Sequence, residues 1–339
     1  MPSRSLLALS CFAISLSAAQ AQEPVNFYTG KSISMVISSS AGGGYDTLAR
    51  ALARYLPKHI APQVTITIRN MPGAGGIVAT KYLYSVAPKD GLTMGGVQNN
   101  TPFEPLLGTK EADYDARNFN WLGSPSYETG LLATMTASGV RNLDDARIKT
   151  VTVASSGANS TPSFYARLLN ELLKTKLKIV VGYPGQTESF LAMERGEVDG
   201  YPSIFWNSLT STRPEWLRDK KINLIVQYGP QKEPAIADVP SVAEQLSNQD
   251  DLLLLRAAIA PLALGRPFLL PPNVPADRVA FMQKAVMETI GDPEFQDEAT
   301  TLKLGLNEAR SPADMKTIVD DAYATPPAII ERLRKIAQE

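Results

Sequence analysis

The stretch SISMVISSSAGGGYDTLARAL, residues 32–52, joins a strand to a helix through a turn that has almost no side chains. Residues 33–37 are apolar and mostly β-branched, which predicts a strand buried on both faces. Leu48, Leu52 and Leu56 recur at helical spacing, so a helix follows. Such a turn at a helix N-terminus lets a small anion approach backbone N–H groups. The alternative is a tight turn in which glycine only supplies positive φ.

The N-terminus has the features of a secretory signal peptide. Arg4 precedes an apolar run, and Ala19-Gln20-Ala21 fits a small-x-small cleavage site. We therefore expect residues 1–21 to be removed near Ala21 and the mature chain to be exported. The only cysteine, Cys11, lies inside this segment, so the mature protein is held together by its core without disulfides.

Composition excludes several classes of function. Lys and Arg number 33 against 34 Asp and Glu, with no basic block, so a nucleic-acid partner is not expected. One histidine, His59, and no mature cysteine make a zinc or copper site a poor prediction, and no cofactor is expected. The apolar run at 251–265 is interrupted by Arg256 and Pro261, so it is not predicted to span a membrane.

Strand and helix patterns alternate along the mature chain, which predicts an α/β fold of mostly parallel sheets flanked by helices. The length suggests two domains. Residues 100–121 are predicted to be irregular. The predicted strands are 33–37, 64–69, 92–97, 129–135, 149–154, 178–183 and 222–229. Helices are predicted near 76–86, 143–147, 164–174, 277–289 and 293–303, and from Ser311 onward, where Ser311 and Asp314 form a capping-box pattern.

A second strand–turn–helix unit repeats the first. Residues 151–168 again place a strand, a turn of small polar residues and a helix start in succession, as residues 33–48 do. Ligands of open parallel sheets bind beyond the carboxyl ends of the strands. Two such turns facing each other across a cleft are predicted to grip an anion through helix N-termini, without an arginine.

Enzyme chemistry finds little support in the pattern. No G-x-S-x-G elbow is present, and the dinucleotide fingerprint fails because Thr47 and Val78 stand where the third glycine belongs. A secreted hydrolase using Ser39 or Ser156 would have to recruit His59 or a carboxylate as its base. We therefore expect a binding protein, not an enzyme.

Three ordered motifs resemble the substrate-binding receptors of tripartite tricarboxylate transporters. The first is the Gly-Gly turn with its Asp and Ala-Arg pair, the second an Asn-x-Pro-Gly-Ala-Gly-Gly turn, and the third a Pro-x-Asp-Gly-x-Thr strand start. They fall on Gly42, Gly43, Asp46, Ala49 and Arg50, on Asn70 and residues 72–76, and on Pro88, Asp90, Gly91 and Thr93. The chain departs from the family where Ser38, Ser39 and Ser40 replace the usual prolines of the first turn.

The resemblance implies a two-lobed periplasmic binding protein that closes like a Venus flytrap and passes a carboxylate to membrane permease subunits. Lobe 1 is then expected to be 22–127 plus 253–339, and lobe 2 to be 128–252. A monomer is expected. The ligand class stays open among a di- or tricarboxylate, an amino acid and an aromatic acid, and a ligand sensor for a signalling partner is the alternative role.

The expected ligand contacts come from four places. The first turn contributes Ser38, Ser39, Ser40, Gly42, Gly43, Gly44, Tyr45 and Asp46. The second turn contributes Ser155, Ser156, Gly157, Asn159, Ser160 and Thr161. Asn99 and Asn100 are expected at the distal end of the ligand. Ser203 and Trp206 belong to a segment that either lies in the core or lines the cleft beside an apolar part of the ligand.

Overall fold

The computed structural model describes residues 24–42, 44–158, 160–183 and 185–338. The predicted signal peptide, Gly43 and Asn159 lie outside these residues. The strands are β1 Ser32–Ile37, β2 Thr65–Asn70, β3 Thr93–Gly96, β4 Asn120–Gly123, β5 Gly130–Met135, β6 Val151–Ser155, β7 Leu177–Val181, β8 Gly200–Phe205, β9 Ile222–Tyr228 and β10 Phe268–Leu270. The helices are α1 Pro24–Tyr28, α2 Gly44–Ile60, α3 Ile77–Ser85, α4 Leu143–Ile148, α5 Thr161–Leu173, α6 Gln186–Glu194, α7 Trp206–Thr212, α8 Pro214–Arg218, α9 Gln249–Leu264, α10 Ala276–Ile290, α11 Pro293–Thr301, α12 Pro312–Tyr323 and α13 Pro327–Gln338.

The strands form two five-stranded sheets of matching topology. Their orders are β2-β1-β3-β10-β4 and β7-β6-β8-β5-β9. In each sheet one strand, β10 or β5, runs antiparallel to both of its neighbours. The predicted two-lobed α/β fold with mostly parallel sheets is therefore confirmed. We call the parts built on these sheets the first and the second lobe.

Two helices pack differently from the expected division of the chain. Leu254 and Leu255 of α9 and Ile329 and Leu333 of α13 lie in the hydrophobic core of the second lobe. Further along α9, Leu264 packs in a core cluster of the first lobe. The boundaries at 127/128 and 252/253 stay predictions. They assign most of α9 and all of α13 to lobe 1, whereas these helices pack on the second lobe.

Several predicted elements agree with the structure, and others were missed. The capping box at α12 is confirmed, because the Ser311 hydroxyl accepts from the Asp314 N–H at 3.1 Å while the Asp314 carboxylate accepts from the Ser311 N–H at 3.0 Å. The predicted single C-terminal helix is divided into α12 and α13 at residues 324–326. The missed elements include the strands β4, β8 and β10 and the helices α1, α7, α8 and α9.

Besides the link from α12 to α13 at residues 324–326, two chain crossings join the lobes in the described part of the chain. Residues 124–129 lead from β4 to β5, and residues 265–267 lead from α9 to β10. The first residue of β5 pairs with the last residue of β8, and the first residue of β10 pairs with the last residue of β3. Both crossings therefore lie beside the carboxyl ends of the parallel strands, which face each other across the cleft between the lobes.

None of the helices in the described ranges has the length and apolar character that crossing a membrane requires.

Candidate functional site

The first turn is held by the carboxylate of Asp46, which is 2 % exposed. Its Oδ2 accepts from the Gly42 N–H at 2.8 Å and from Arg50 Nε at 2.9 Å. Its Oδ1 accepts from Asn70 Nδ2 at 2.9 Å, and the same amide donates to the Ser39 carbonyl at 3.0 Å. These bonds tie the turn to the end of β2. They explain why the Asp, Arg and Asn of the two sequence motifs occur together.

These contacts predict a dependence of stability on pH. Burial alone raises the pKa of Asp46, but hydrogen bonds from Arg50, the Gly42 N–H and Asn70 outweigh it and lower the pKa to about 2. The unfolded value is about 3.9, so the carboxylate stabilises the folded state above that pH and the stabilisation is lost as the pH falls toward 2. We expect Asp46→Asn to lower Tm at pH 7 and to flatten the acid limb of Tm against pH, measured by calorimetry.

Asp144→Asn is the matched control, because the Asp144 side chain is 86 % exposed and, among the residues that the structure describes, pairs only with Arg147 on its own helix. Hydrogen bonds from Lys58 and His59 also lower the pKa of Asp292 to about 2, but Asp292 is present in both proteins and cancels in the comparison. An Asp46→Asn protein that loses stability in acid as steeply as the parent would contradict the prediction.

The three serines of the first turn have three different environments. The Ser38 hydroxyl is buried and accepts from the Gln98 N–H at 2.8 Å, so it connects the turn to the loop after β3. Ser40 is exposed. The Ser39 hydroxyl is buried and has no hydrogen-bond partner among the described residues. An unsatisfied buried hydroxyl costs roughly 1–3 kcal/mol, so it marks a place where a ligand or water is expected.

The loop after β3 reaches the same turn through Tyr45. The Asn99 N–H donates to the Tyr45 hydroxyl at 3.2 Å. Burial raises the pKa of Tyr45 to about 12, so the hydroxyl stays protonated at neutral pH and retains a proton to donate. The Asn100 amide donates to Glu104 at 2.9 Å and is therefore engaged within its own loop. Gly44 is the exposed first residue of α2.

The glycine-rich motif after β2 lets three loops meet. Residues 73–76 all have positive φ. A Cβ on Gly76 would lie 3.0 Å from Thr101, 3.3 Å from Gln98 and 3.3 Å from Ser38. A side chain at this position would therefore push apart the loops that surround the first turn.

The hydroxyls of the second turn are bonded to one another. Ser155 Oγ lies 2.7 Å from Ser160 Oγ and 2.7 Å from Ser163 Oγ. The Gly157 carbonyl accepts from Ser160 at 2.8 Å and from Ser163 at 2.7 Å. These hydroxyls hold the turn, whereas Ser156 and Thr161 are exposed and Gly157 is half-buried. Their roles toward a ligand stay predictions.

The remaining predicted residues lie on β8 and at the start of α7. Ser203 is buried on β8. Trp206 is half-buried and packs against a core cluster of the second lobe. Its backbone N–H donates to the Thr129 carbonyl at 2.9 Å. Trp206 is thus attached to the first crossing, at the base of the cleft.

Three residues at the base of the cleft were not predicted: Glu128, Thr129 and Arg266. Arg266 Nε lies 3.4 Å from Glu128 Oε1, and the two side chains are 20 % and 7 % exposed. Burial raises the pKa of Glu128, and Arg266 counteracts that rise. The Thr129 hydroxyl is buried and, within the described residues, has no partner. The only sequence signal was a single arginine in the apolar segment LALGRPFLL, 262–270.

The histidine that a hydrolase would need is far from the serine. His59 Nε2 lies 2.9 Å from Asp292 at the C-terminal end of α2, whereas Ser39 precedes the N-terminal end of that helix. Fifteen residues of helix separate Gly44 from His59, a distance of about 22 Å. His59 therefore does not activate Ser39.

Two curated proteins are similar to most of this chain. The chain is 26% identical over 255 residues to the "UPF0065 protein in gbd 5'region" of Cupriavidus necator, covering 71% of this chain and 72% of that protein. It is 24% identical over 332 residues to the "UPF0065 protein in the TAR-I ttuE-ttuC' intergenic region" of Agrobacterium vitis, covering 95% and 87%.

Solved structures share the fold. A TctC solute-binding protein from Polaromonas has a TM-score of 0.71 at 16% identity, over 90% of this chain and 99% of that one. MatC from Rhodopseudomonas palustris, solved with bound malate, has a TM-score of 0.58 at 22% identity, over 90% and 98%. Another R. palustris protein, solved with adipate, has a TM-score of 0.61 at 19% identity, over 90% and 97%.

The family model of the tripartite tricarboxylate transporter family receptor matches residues 48–334, which is most of the chain. The match runs through both lobes and both crossings. It confirms the resemblance carried by the first-lobe motifs: this chain belongs to the family of tripartite tricarboxylate transporter receptors.

Proposed function

We propose that this solute receptor binds an organic carboxylate between the turn at 38–44 and the turn at 155–161, and delivers it to the membrane subunits of a tripartite transporter. The observation that carries the proposal is the Ser39 hydroxyl, which is buried and unpartnered within the described residues, in an uncharged turn ahead of a 17-residue helix. The partial positive charge at the start of α2 favours an anion at this place.

The relatives support the choice of a carboxylate. Two proteins with the same fold were solved with malate and with adipate. Receptors of this family work in the periplasm, which agrees with the signal peptide proposed at residues 1–21 with cleavage near Ala21. The family match supports delivery to permease subunits.

We divide the predicted site residues into two groups by their hydrogen bonds. In the first group, polar side-chain atoms form hydrogen bonds that hold the loops and turns. Its members are Ser38, Asp46, Asn100, Ser155 and Ser160. Ser39, Tyr45, Asn99 and Ser156 are the proposed direct contacts, together with the backbone N–H groups of the two turns. Gly43 and Asn159 belong to the proposed turns but lie outside the described residues.

Thermal-shift measurement on the mature chain tests the carboxylate proposal. A ligand that binds only the folded state raises Tm as its concentration exceeds Kd. We expect a shift with one class of organic acid and none with the methyl ester or the amide of the same acid. A panel in which sugars or neutral amino acids shift Tm and no acid does would overturn the proposal.

Ser39→Ala should weaken ligand binding by about tenfold or more. A hydrogen bond to a charged group contributes roughly 1.5–3 kcal/mol, and 1.4 kcal/mol is a tenfold change in Kd. Isothermal titration with the acid found in the screen measures the change. Ser32→Ala, at the exposed other end of β1, is the matched control and should leave Kd within about twofold. Equal Kd values for parent and Ser39→Ala would remove Ser39 from the site.

A further inference from the structure

We propose that Arg266 on the cleft floor binds a second carboxylate of the ligand, so that the receptor selects dicarboxylates over monocarboxylates. This inference rests on the proposed carboxylate site at the two turns. It assigns the distal contact, and with it the substrate class, to a residue of the second crossing.

The backbone places Arg266 beside the loop that surrounds the first turn. Its N–H donates to the Ser124 hydroxyl at 2.9 Å, which fixes it against the first crossing. The next residue, Pro267, accepts from the Val97 N–H at 3.3 Å. Two residues beyond Val97, Asn99 contacts Tyr45. Arg266 is also close enough to Tyr45 for its charge to lower the pKa of that hydroxyl against the larger effect of burial.

The guanidinium of Arg266 has N–H donors that no described residue accepts. The contact recorded between Arg266 and Glu128 joins Nε to Oε1 at 3.4 Å. Neither Nη atom makes a hydrogen bond to any residue in the described part of the chain. The side chain is 20 % exposed, so a ligand in the cleft can reach it while most of it is shielded from water. Arginine donors match a carboxylate in a two-point fork, which makes a carboxylate the complementary ligand group.

Glu128 orients this guanidinium. Glu128 is 6 % exposed. Its backbone N–H donates to the Leu262 carbonyl at 2.9 Å, which attaches Glu128 to α9. Because Nε approaches Glu128, the Nη groups remain as donors for a further acceptor. The nearby Arg310 lies over the Tyr127 ring at 4.6 Å and is 3.9 Å from Glu308, and its buried Nε has no hydrogen-bond partner among the described residues, so it is a second guanidinium donor close to the first crossing.

The floor continues toward the second lobe through Thr129. Thr129 is 3 % exposed. Its buried hydroxyl has no hydrogen-bond partner in the described ranges. The Thr129 carbonyl holds the N–H of Trp206. Neither turn contains a lysine or an arginine. The turns therefore suit one carboxylate through N–H and O–H donors, and Arg266 supplies the positive charge for a second.

Isothermal titration with matched acids tests the inference. Succinate, glutarate, adipate and phthalate are compared with butyrate, pentanoate, hexanoate and benzoate. We expect the parent protein to bind at least one diacid ten or more times tighter than its matched monoacid. Arg266→Gln should abolish this preference, with monoacid affinity changing less than about twofold, and Arg266→Lys should restore part of it. Arg256→Gln, at an exposed position of α9, is the matched control and should keep the preference.

The outcomes separate this inference from the proposed function. An Arg266→Gln protein that keeps the diacid preference, or that loses mono- and diacid affinity alike, overturns the role of Arg266 and leaves the carboxylate site standing. A parent protein that binds matched monoacids as tightly as diacids, or binds none of the eight, also overturns it. The proposed function is decided separately by the wider panel and by Ser39→Ala.

Discussion

Gly265→Ala should destabilise the protein by roughly 2–6 kcal/mol, because a strained backbone and an overpacked contact each cost about 1–3 kcal/mol. Gly265 has φ 67° and ψ −116°, a conformation that residues with a Cβ rarely adopt. A Cβ there would lie 1.7 Å from the Ser126 carbonyl oxygen and 2.9 Å from the Ser124 hydroxyl. The two crossings would have to separate at the cleft floor. Thermal and urea unfolding measure the loss.

Gly139→Ala separates the two costs. Gly139 has φ 73°, but a Cβ there would meet nothing within 4 Å. We expect this control to lose only about 1–2 kcal/mol for the left-handed conformation. Equal losses in the two variants would show that the close approach of the crossings contributes nothing.

Trp216→Ala should cost about 3–5 kcal/mol, the range observed for removing a large buried aromatic side chain. Trp216 is 1 % exposed on α8. Its ring centroid lies 4.9 Å from that of Phe190, and its Nε1 donates to Glu194 at 3.0 Å. Removing it leaves a cavity beneath α6 and takes a partner from Glu194. Urea unfolding, followed by circular dichroism, gives the free energy of unfolding.

Trp216→Phe is the matched variant. It retains ring packing against Phe190 and loses the bond to Glu194, so a smaller loss is expected, of about 1–2 kcal/mol. The burial of Trp216 indicates that the second-lobe core depends on it. A Trp216→Ala protein that unfolds at the same urea concentration as the parent would contradict that dependence.

The two strand–turn–helix units were predictable because their signals are local. An apolar β-branched run, a small polar turn and leucines at helical spacing occur within about twenty residues in each case. The elements that were missed depend on distant pairing. β4 is a four-residue strand held beside β10. Helix α9 packs on two cores and has no polar face along much of its length, so its helical period is hidden.

Residue type did not separate ligand contacts from residues that hold the turns. Ser38 and Ser39 are adjacent and identical, yet the partner of Ser38 is Gln98, sixty residues away in the chain. Only the folded structure shows that the Ser38 hydroxyl is engaged and that the Ser39 hydroxyl has no partner among the described residues. Arg266 escaped prediction for the related reason that its partner, Glu128, arrives from the other crossing.

Pro261 has a mechanical consequence for the two lobes. It lies inside α9 and lacks an N–H, so the helical bond to the Ala257 carbonyl is missing at that point. Ala260, just before it, packs with the first lobe, and Leu262, just after it, packs with the second. The helix therefore has one hydrogen bond fewer at the turn where its contacts pass from one lobe to the other, which lowers its resistance to bending there. Ile259, before the proline, also packs with the second lobe and Leu264, after it, with the first, so a rotation of one lobe against the other would load this turn from both sides.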